Sequence, residues 1–252
     1  MAGRARCATA LPRRPVLCYD DALVYGGRAL GRAAGEGQLS FDIEAIAAAA
    51  FVLSLRERGL RDKAVLGAME RVPRDLFAPR RFADLSRRDV ALPLSLGQTM
   101  TAPGSVAVML TALQVRDGDH VLEIGSGSGY VSALLAKLGG QVVAIERYAA
   151  LADGAAMRFS ELDLSRAIEL SVRDGLSMQT SERFDRILLN GSLRSIPDNV
   201  TRLLAPGGRL VGARAGEGAA PRLLMIEADA QGRLTETEGG SLRISPLVPP
   251  EN

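Results

Sequence analysis

The stretch HVLEIGSGSGY, residues 120–130, limits the possible folds more than any other part of the chain. A short segment with Val121, Leu122 and Ile124 as its apolar residues leads into glycines at 125, 127 and 129, and helix-forming residues follow at once. That order predicts a strand over 120–124, a tight turn over 125–129 and a helix over 130–138, closed by Gly139 and Gly140. Glycines let such a turn bend sharply and let a ligand approach the backbone, while the helix start aims free N–H groups at it. The alternation continues downstream. Strands are expected at 141–145, 168–172, 184–189, 208–213 and 223–228, with helices over 148–161 and 197–204. Strands and helices alternating at these lengths indicate an α/β fold with a mostly parallel sheet covered on both faces. After Gly208 few helix formers separate the strands, which predicts an antiparallel hairpin at one sheet edge.

Upstream the pattern is helical. Ile43, Ile46, Ala47, Ala50, Phe51, Leu53 and Leu55 suggest a helix over 41–58 that Gly59 ends. Asp62 is placed to cap a second helix carrying Val65, Leu66 and Met69, which must stop before Pro73. Residues 1–40 are rich in Gly, Arg and Ala without a period, and read as a flexible arm. The expected organisation is therefore an arm over 1–40, a helical and connecting region over 41–96, and a ligand-binding core over 97–252.

Composition narrows the function. A net charge of +2, four Tyr, six Phe and no Trp argue against a nucleic-acid surface. No apolar run is long enough to span a membrane. The two cysteines, Cys7 and Cys18, and the single His120 leave no cysteine zinc site and no histidine cluster, so no metal is expected. His120 reads as a strand-start residue without a chemical role. The expected location is the cytoplasm.

Two carboxylates stand at further strand ends. Glu146, about 20 residues beyond the glycine turn, is placed to accept the hydroxyls of a ribose. Asp174-Gly175 can read an exocyclic amine in the same crevice. Together they indicate an adenosine-containing ligand, with NAD and S-adenosylmethionine both open. Further upstream, GQTMTAP (97–103) reads locally as a helix start. Thr101 would be the cap, Pro103 would lie in the first turn, and Val106, Met109, Leu110 and Leu113 would form the apolar stripe.

VPRDLFAP (72–79), LPLSLGQTMTAP (92–103), VLEIGSGSGY (121–130), VVAIE (142–146), VRDG (172–175), FDRILLN (184–190), IPDNV (196–200) and LLAPGGRLV (203–211) follow one another in an order and spacing that resemble the protein-L-isoaspartate O-methyltransferase family. The resemblance implies a class I methyltransferase (Rossmann-like) sheet of seven strands, with the last strand antiparallel to the others. It also implies S-adenosyl-L-methionine as methyl donor and S-adenosyl-L-homocysteine as product. The substrate would be a protein or peptide with an accessible carboxylate, and the chain a monomer or weak homodimer. Carried over, Gly125, Ser126, Gly127, Gly129, Glu146, Asp174 and Gly175 would surround the donor, with Glu123 and Arg147 beside them. Gln98, Thr99, Met100 and Thr101 would form the wall between donor and acceptor, Thr101 as the catalytic hydroxyl where the family usually has serine. Asp89, Asn190 and Gly191 would join Thr101 at the acceptor. Two other readings stay open beside isoaspartate methylation. One is a methyltransferase for an ordinary Asp or Glu carboxylate of a specific partner, and the other is a donor-binding protein without catalysis.

Overall fold

Fifteen α-helices and β-strands follow in chain order in the computed structural model, which describes the backbone of residues 34–247 and side chains from residue 45. They are α1 (Ala34–Glu57), α2 (Lys63–Arg71), β1 (Leu92–Pro93), β2 (Thr99–Met100), α3 (Pro103–Leu113), β3 (His120–Ile124), α4 (Tyr130–Lys137), β4 (Gln141–Glu146), α5 (Ala149–Glu161), β5 (Ile168–Val172), β6 (Phe184–Leu193), α6 (Asp198–Thr201), β7 (Leu204–Arg214), β8 (Arg222–Ala228) and β9 (Leu234–Ser241). One compact unit spans Asp42–Asn252, and of the other, Met1–Phe41, only the first turns of α1 are described. The expected arm with Cys7 and Cys18 thus lies almost wholly outside the described residues.

Seven strands form one sheet in the order β5-β4-β3-β6-β7-β8-β9. The first five by position are parallel, β8 pairs antiparallel with β7, and β9 pairs antiparallel with β8. The resemblance put the reversed strand last in the chain. Here it is the penultimate strand, β8. The connections on either side of β8 are short and contain no helix, so each can only turn the chain back on itself, whereas the parallel pairs need longer crossovers. Both faces of the sheet are covered at its central strands, whereas the edge strand β9 is largely exposed. Val121, Ala144 and Val211 pack toward a core that includes α2, α3, α4 and α5, while Leu122, Ile124, Ile187 and Leu210 point into a second core with Phe184, Val200 and Leu203. Burial on both faces explains why the strands read as continuous apolar runs instead of alternating.

Four expectations shift in detail. First, α1 starts at Ala34, before the apolar period does, and only Phe51, Val52 and Leu55 of its last turns are buried. Ile46 and Leu53 are more than half exposed, so the apolar face is narrower than the period suggested. Second, the helix expected over 197–204 is only α6, because Leu204 already belongs to β7. Third, β6 runs to Leu193, four residues beyond its expected end. Fourth, Thr101 does not cap α3: the cap position falls on Ala102 and no side chain serves there. By contrast, Asp62 does cap α2, accepting from the backbone N–H groups of Ala64 at 2.9 Å and Val65 at 3.0 Å.

Candidate active site

The carboxyl ends of β3, β4, β5 and β6 open onto a cleft with about 680 Å3 of empty space. A parallel sheet makes such a crevice where the connections on either side of β3 leave in opposite directions. Of the residues expected to hold a donor, Gln98, Thr99, Gly125, Gly127, Glu146, Arg147, Asp174 and Gly175 line it, as do Thr101 and Asn190 from the acceptor set.

The glycine turn is held from below by Glu146. One carboxylate oxygen accepts from Gly127 N at 2.7 Å, and the other accepts from Arg147 N at 2.8 Å and Tyr148 N at 2.9 Å. A carboxylate has about four acceptor positions, so one remains for a ribose hydroxyl and a second hydroxyl must exchange with a backbone donor. Gly125 and Gly127 have φ of +87° and +56°, a region that side chains avoid. Gly175 has a different reason to be glycine: a Cβ there would fall 2.6 Å from Ile124 Cγ2. It serves close packing, not flexibility. Asp174 accepts from Leu176 N at 3.1 Å and from the Ser177 hydroxyl at 2.5 Å, which orients it at the rim.

Several expected donor residues sit outside the cleft. Met100 is buried in the core with Leu92, its partner across the short β1–β2 pair. Gly129 is where α4 begins, and a Cβ there would lie 2.7 Å from the Phe159 ring, so it serves helix packing. Ser126 is buried behind the turn, its hydroxyl meeting no partner among the described residues. Glu123 is fully buried and faces α4: its Oε2 accepts from Ser132 Oγ at 2.5 Å and its Oε1 from Asn190 Nδ2 at 3.2 Å. Burial pushes its carboxyl up to about 7 against the pull of those two hydrogen bonds.

On the acceptor side, Thr101 is buried at the cleft edge, 7% exposed, and its hydroxyl donates to Asn190 Oδ1 at 3.3 Å. Asn190 reaches it because β6 carries extra residues between Leu188 and Ser192 relative to β7, a bulge that redirects the chain. Asp89, expected beside the acceptor, is instead a clamp. Its carboxylate accepts from Gly104 N at 2.7 Å, Arg58 at 2.7 Å and Arg243 at 2.5 Å. Glycine at 104 permits this approach, since a Cβ would be 2.9 Å from Asp89 Oδ1. Gly191 does not face the cleft as an open surface either, because the chain at Leu247 lies against it.

Sequence reasoning missed two elements. Arg74, 2% exposed, donates to Ser86 O at 2.7 Å, Val90 O at 3.1 Å and Thr101 O at 3.1 Å, so one guanidinium fixes the backbone of the lip. Its place inside VPRDLFAP was the available signal. The second element is a C-terminal strap. Arg243 N donates to Ser105 Oγ at 3.1 Å, Ser192 N to Ser245 O at 2.9 Å and Leu247 N to Ser192 O at 2.9 Å. Ser245, Pro246 and Leu247 thereby become a wall of the cleft. Nothing in their composition announces it.

The sequence model of the family described as Protein-L-isoaspartate(D-aspartate) O-methyltransferase (PCMT) matches residues 47–249. The chain is similar to the protein-L-isoaspartate O-methyltransferase of Methylorubrum populi, 40% identical over 192 residues, which cover 76% of this chain and 89% of that one. It is also similar to protein-L-isoaspartate O-methyltransferase 2 of Rhodopseudomonas palustris, 41% identical over 199 residues, with 79% and 87% covered. Among solved structures, a Plasmodium falciparum protein assigned as a protein-L-isoaspartate O-methyltransferase, in complex with S-adenosyl-L-homocysteine, superposes with a TM-score of 0.70 at 20% identity. The match covers 79% of this chain and 97% of that one, and at this identity it speaks to the fold.

Proposed function

The chain belongs to the protein-L-isoaspartate(D-aspartate) O-methyltransferase family, and we propose that its cleft performs methyl transfer with Thr101 and Asn190 facing the acceptor. It is an S-adenosylmethionine-dependent methyltransferase acting on isoaspartate. The residues present fit the donor: a cradle of positive-φ glycines, a carboxylate with acceptor capacity to spare beneath it, and a second carboxylate at the next strand end. Gln98, Thr99, Gly125, Gly127, Glu146, Arg147, Asp174 and Gly175 would hold it. When bound, the donor supplies an activated methyl group on a sulfonium.

The acceptor needs little activation. A carboxylate with a pKa near 4 is already ionised at pH 7, so no general base is required. His120 is in keeping with that. It lies at the start of β3, away from the strand ends that form the cleft, with its ring against Phe184. What remains for the chain is to orient the carboxylate and exclude water. The Thr101 hydroxyl is suited to this. Its bond to Asn190 is long, so its one hydrogen can be shared with an acceptor carboxylate in a three-centre bond, the carboxylate taking the stronger, charge-assisted part while the oxygen stays where Asn190 holds it.

The observation that carries this reading is the meeting of Thr101 and Asn190, 89 positions apart, in the same cleft as the glycine turn. Thr101→Ala should lower kcat on an isoaspartyl peptide by about 10- to 100-fold, the worth of one charged hydrogen bond, with donor Kd within about twofold by calorimetry. The same peptide with ordinary aspartate should incorporate no methyl by mass spectrometry. A mutant as active as the parent would remove Thr101 from the mechanism.

A further inference from the structure

Beneath the cleft, Glu123 and Ser132 continue the contact between Thr101 and Asn190 into the protein. Ser132 Oγ donates to Glu123 Oε2, Asn190 Nδ2 donates to Glu123 Oε1, and Thr101 Oγ1 donates to Asn190 Oδ1. Glu123 and Ser132 are both fully buried, whereas Asn190 and Thr101 reach the cleft. A buried carboxylate on β3 has no ion pair among the described residues, and it costs stability unless hydrogen bonds offset its burial. Resting on the reading of Thr101 above, we infer that Glu123 is a positioning residue for methyl transfer: through Asn190 it sets where the Thr101 hydroxyl lies, without touching donor or acceptor.

The chemistry of the groups gives the relay its direction. As a carboxylate, Glu123 can only accept, so its Oε1 draws the NH2 end of Asn190 toward itself and leaves the amide oxygen for Thr101. If the amide flipped, NH2 would face Thr101 and two oxygens would face each other at Glu123. Position 190 is therefore held in one of its two amide orientations by a residue on the neighbouring strand. The relay does not depend on the charge of Glu123. When protonated on Oε2, the carboxyl donates to Ser132 and its Oε1 still accepts from Asn190. A glutamine at this position can do the same with its NH2 toward Ser132.

That equivalence sets the test on the full chain. Thr101→Ala, Glu123→Ala, the double variant and Glu123→Gln are compared for kcat and KM on one isoaspartyl peptide, for donor Kd by calorimetry, and for the Asn190 side-chain amide resonances by NMR in the free protein. Expected are a roughly tenfold lower kcat for Glu123→Ala with donor Kd within about twofold, and kcat within about threefold of the parent for Glu123→Gln. The double variant should be no slower than Thr101→Ala alone, and the Asn190 amide protons should shift in Glu123→Ala but stay near the parent positions in Glu123→Gln. Losses that multiply in the double variant, an unshifted Asn190 amide, or a Glu123→Gln as slow as Glu123→Ala would overturn the relay while leaving the Thr101 role standing. A Thr101→Ala variant with parental kcat would instead overturn the reading of Thr101, and the relay with it. If Glu123→Ala fails to fold, Glu123→Leu, which fills the same space and removes the acceptor for Asn190 Nδ2, enters the cycle with Thr101→Ala under the same two outcomes.

Discussion

On the donor side of the cleft, Gly125, Glu146 and Asp174 each stand at or just beyond the end of a parallel strand, whereas on the acceptor side Thr101, Asn190 and Leu247 come from a loop, a bulge and a C-terminal strap. The first side is set by strand–helix units of local sequence. The second depends on contacts between residues far apart in the chain: Arg74 with Thr101, Asp89 with Arg243, and Ser192 with Ser245 and Leu247. Substitutions on the donor side should therefore act on folding or on donor affinity alone. Those on the acceptor side should spread to neighbours.

The largest effect expected on the donor side is on stability. Gly129→Val adds a side chain at φ +86° and into the Phe159 ring, and should cost about 4 kcal/mol in urea unfolding, backbone strain and overpacking combined. A stable variant with weakened donor binding would return Gly129 to the donor site. Next, Glu146→Ala removes the carboxylate that holds the turn, and donor Kd by calorimetry should rise about 100-fold, near 3 kcal/mol. An unchanged Kd would break the donor-side account.

At the seam between the two sides, Glu123 ties folding to pH. Its folded-state value, about 7, lies above the ordinary 4.5, chiefly through burial. The folded protein thus holds a proton that the unfolded chain gives up near pH 4.5. The resulting stability is complete below that pH and is lost as pH rises through 7. Glu123→Gln has no such proton to lose, so its melting temperature should gain on the parent's between pH 5 and 8, by the equivalent of about 1–3 kcal/mol. Parallel curves would place the carboxyl near its ordinary value. The smallest effect belongs to the strap. Gly191→Ala would put a Cβ 2.8 Å from Leu247 N and should push the strap away at a cost of about 1 kcal/mol. The Ser192 and Leu247 amides should then exchange hydrogen faster, and unchanged protection would show that the strap accommodates a methyl group.

Much of this arrangement can be read from the chain itself, because the donor side obeys short-range rules. The strand, the positive-φ turn and the helix of residues 120–137 follow from local apolar pattern and glycine, and strand spacing brings Glu146 and Asp174 to the same edge. Other assignments were misplaced where a residue type was right and its partner unforeseen. Asp89 is an acidic group near the lip, but Arg58 and Arg243 claim it. Glu123 precedes the glycine turn, yet the twofold alternation along β3 turns it to Ser132 on α4 and away from the cleft.

The amino-acid sequence by itself determined the parallel sheet, the glycine turn and the carboxylates at its strand ends, since each depends on neighbours within a strand–helix unit. Tertiary structure alone decided which side chains face the acceptor. A bulge in β6, the buried Arg74 and a strap clamped by Asp89 are contacts across tens of residues, and hydrogen bonds of that reach leave no periodic trace in a chain.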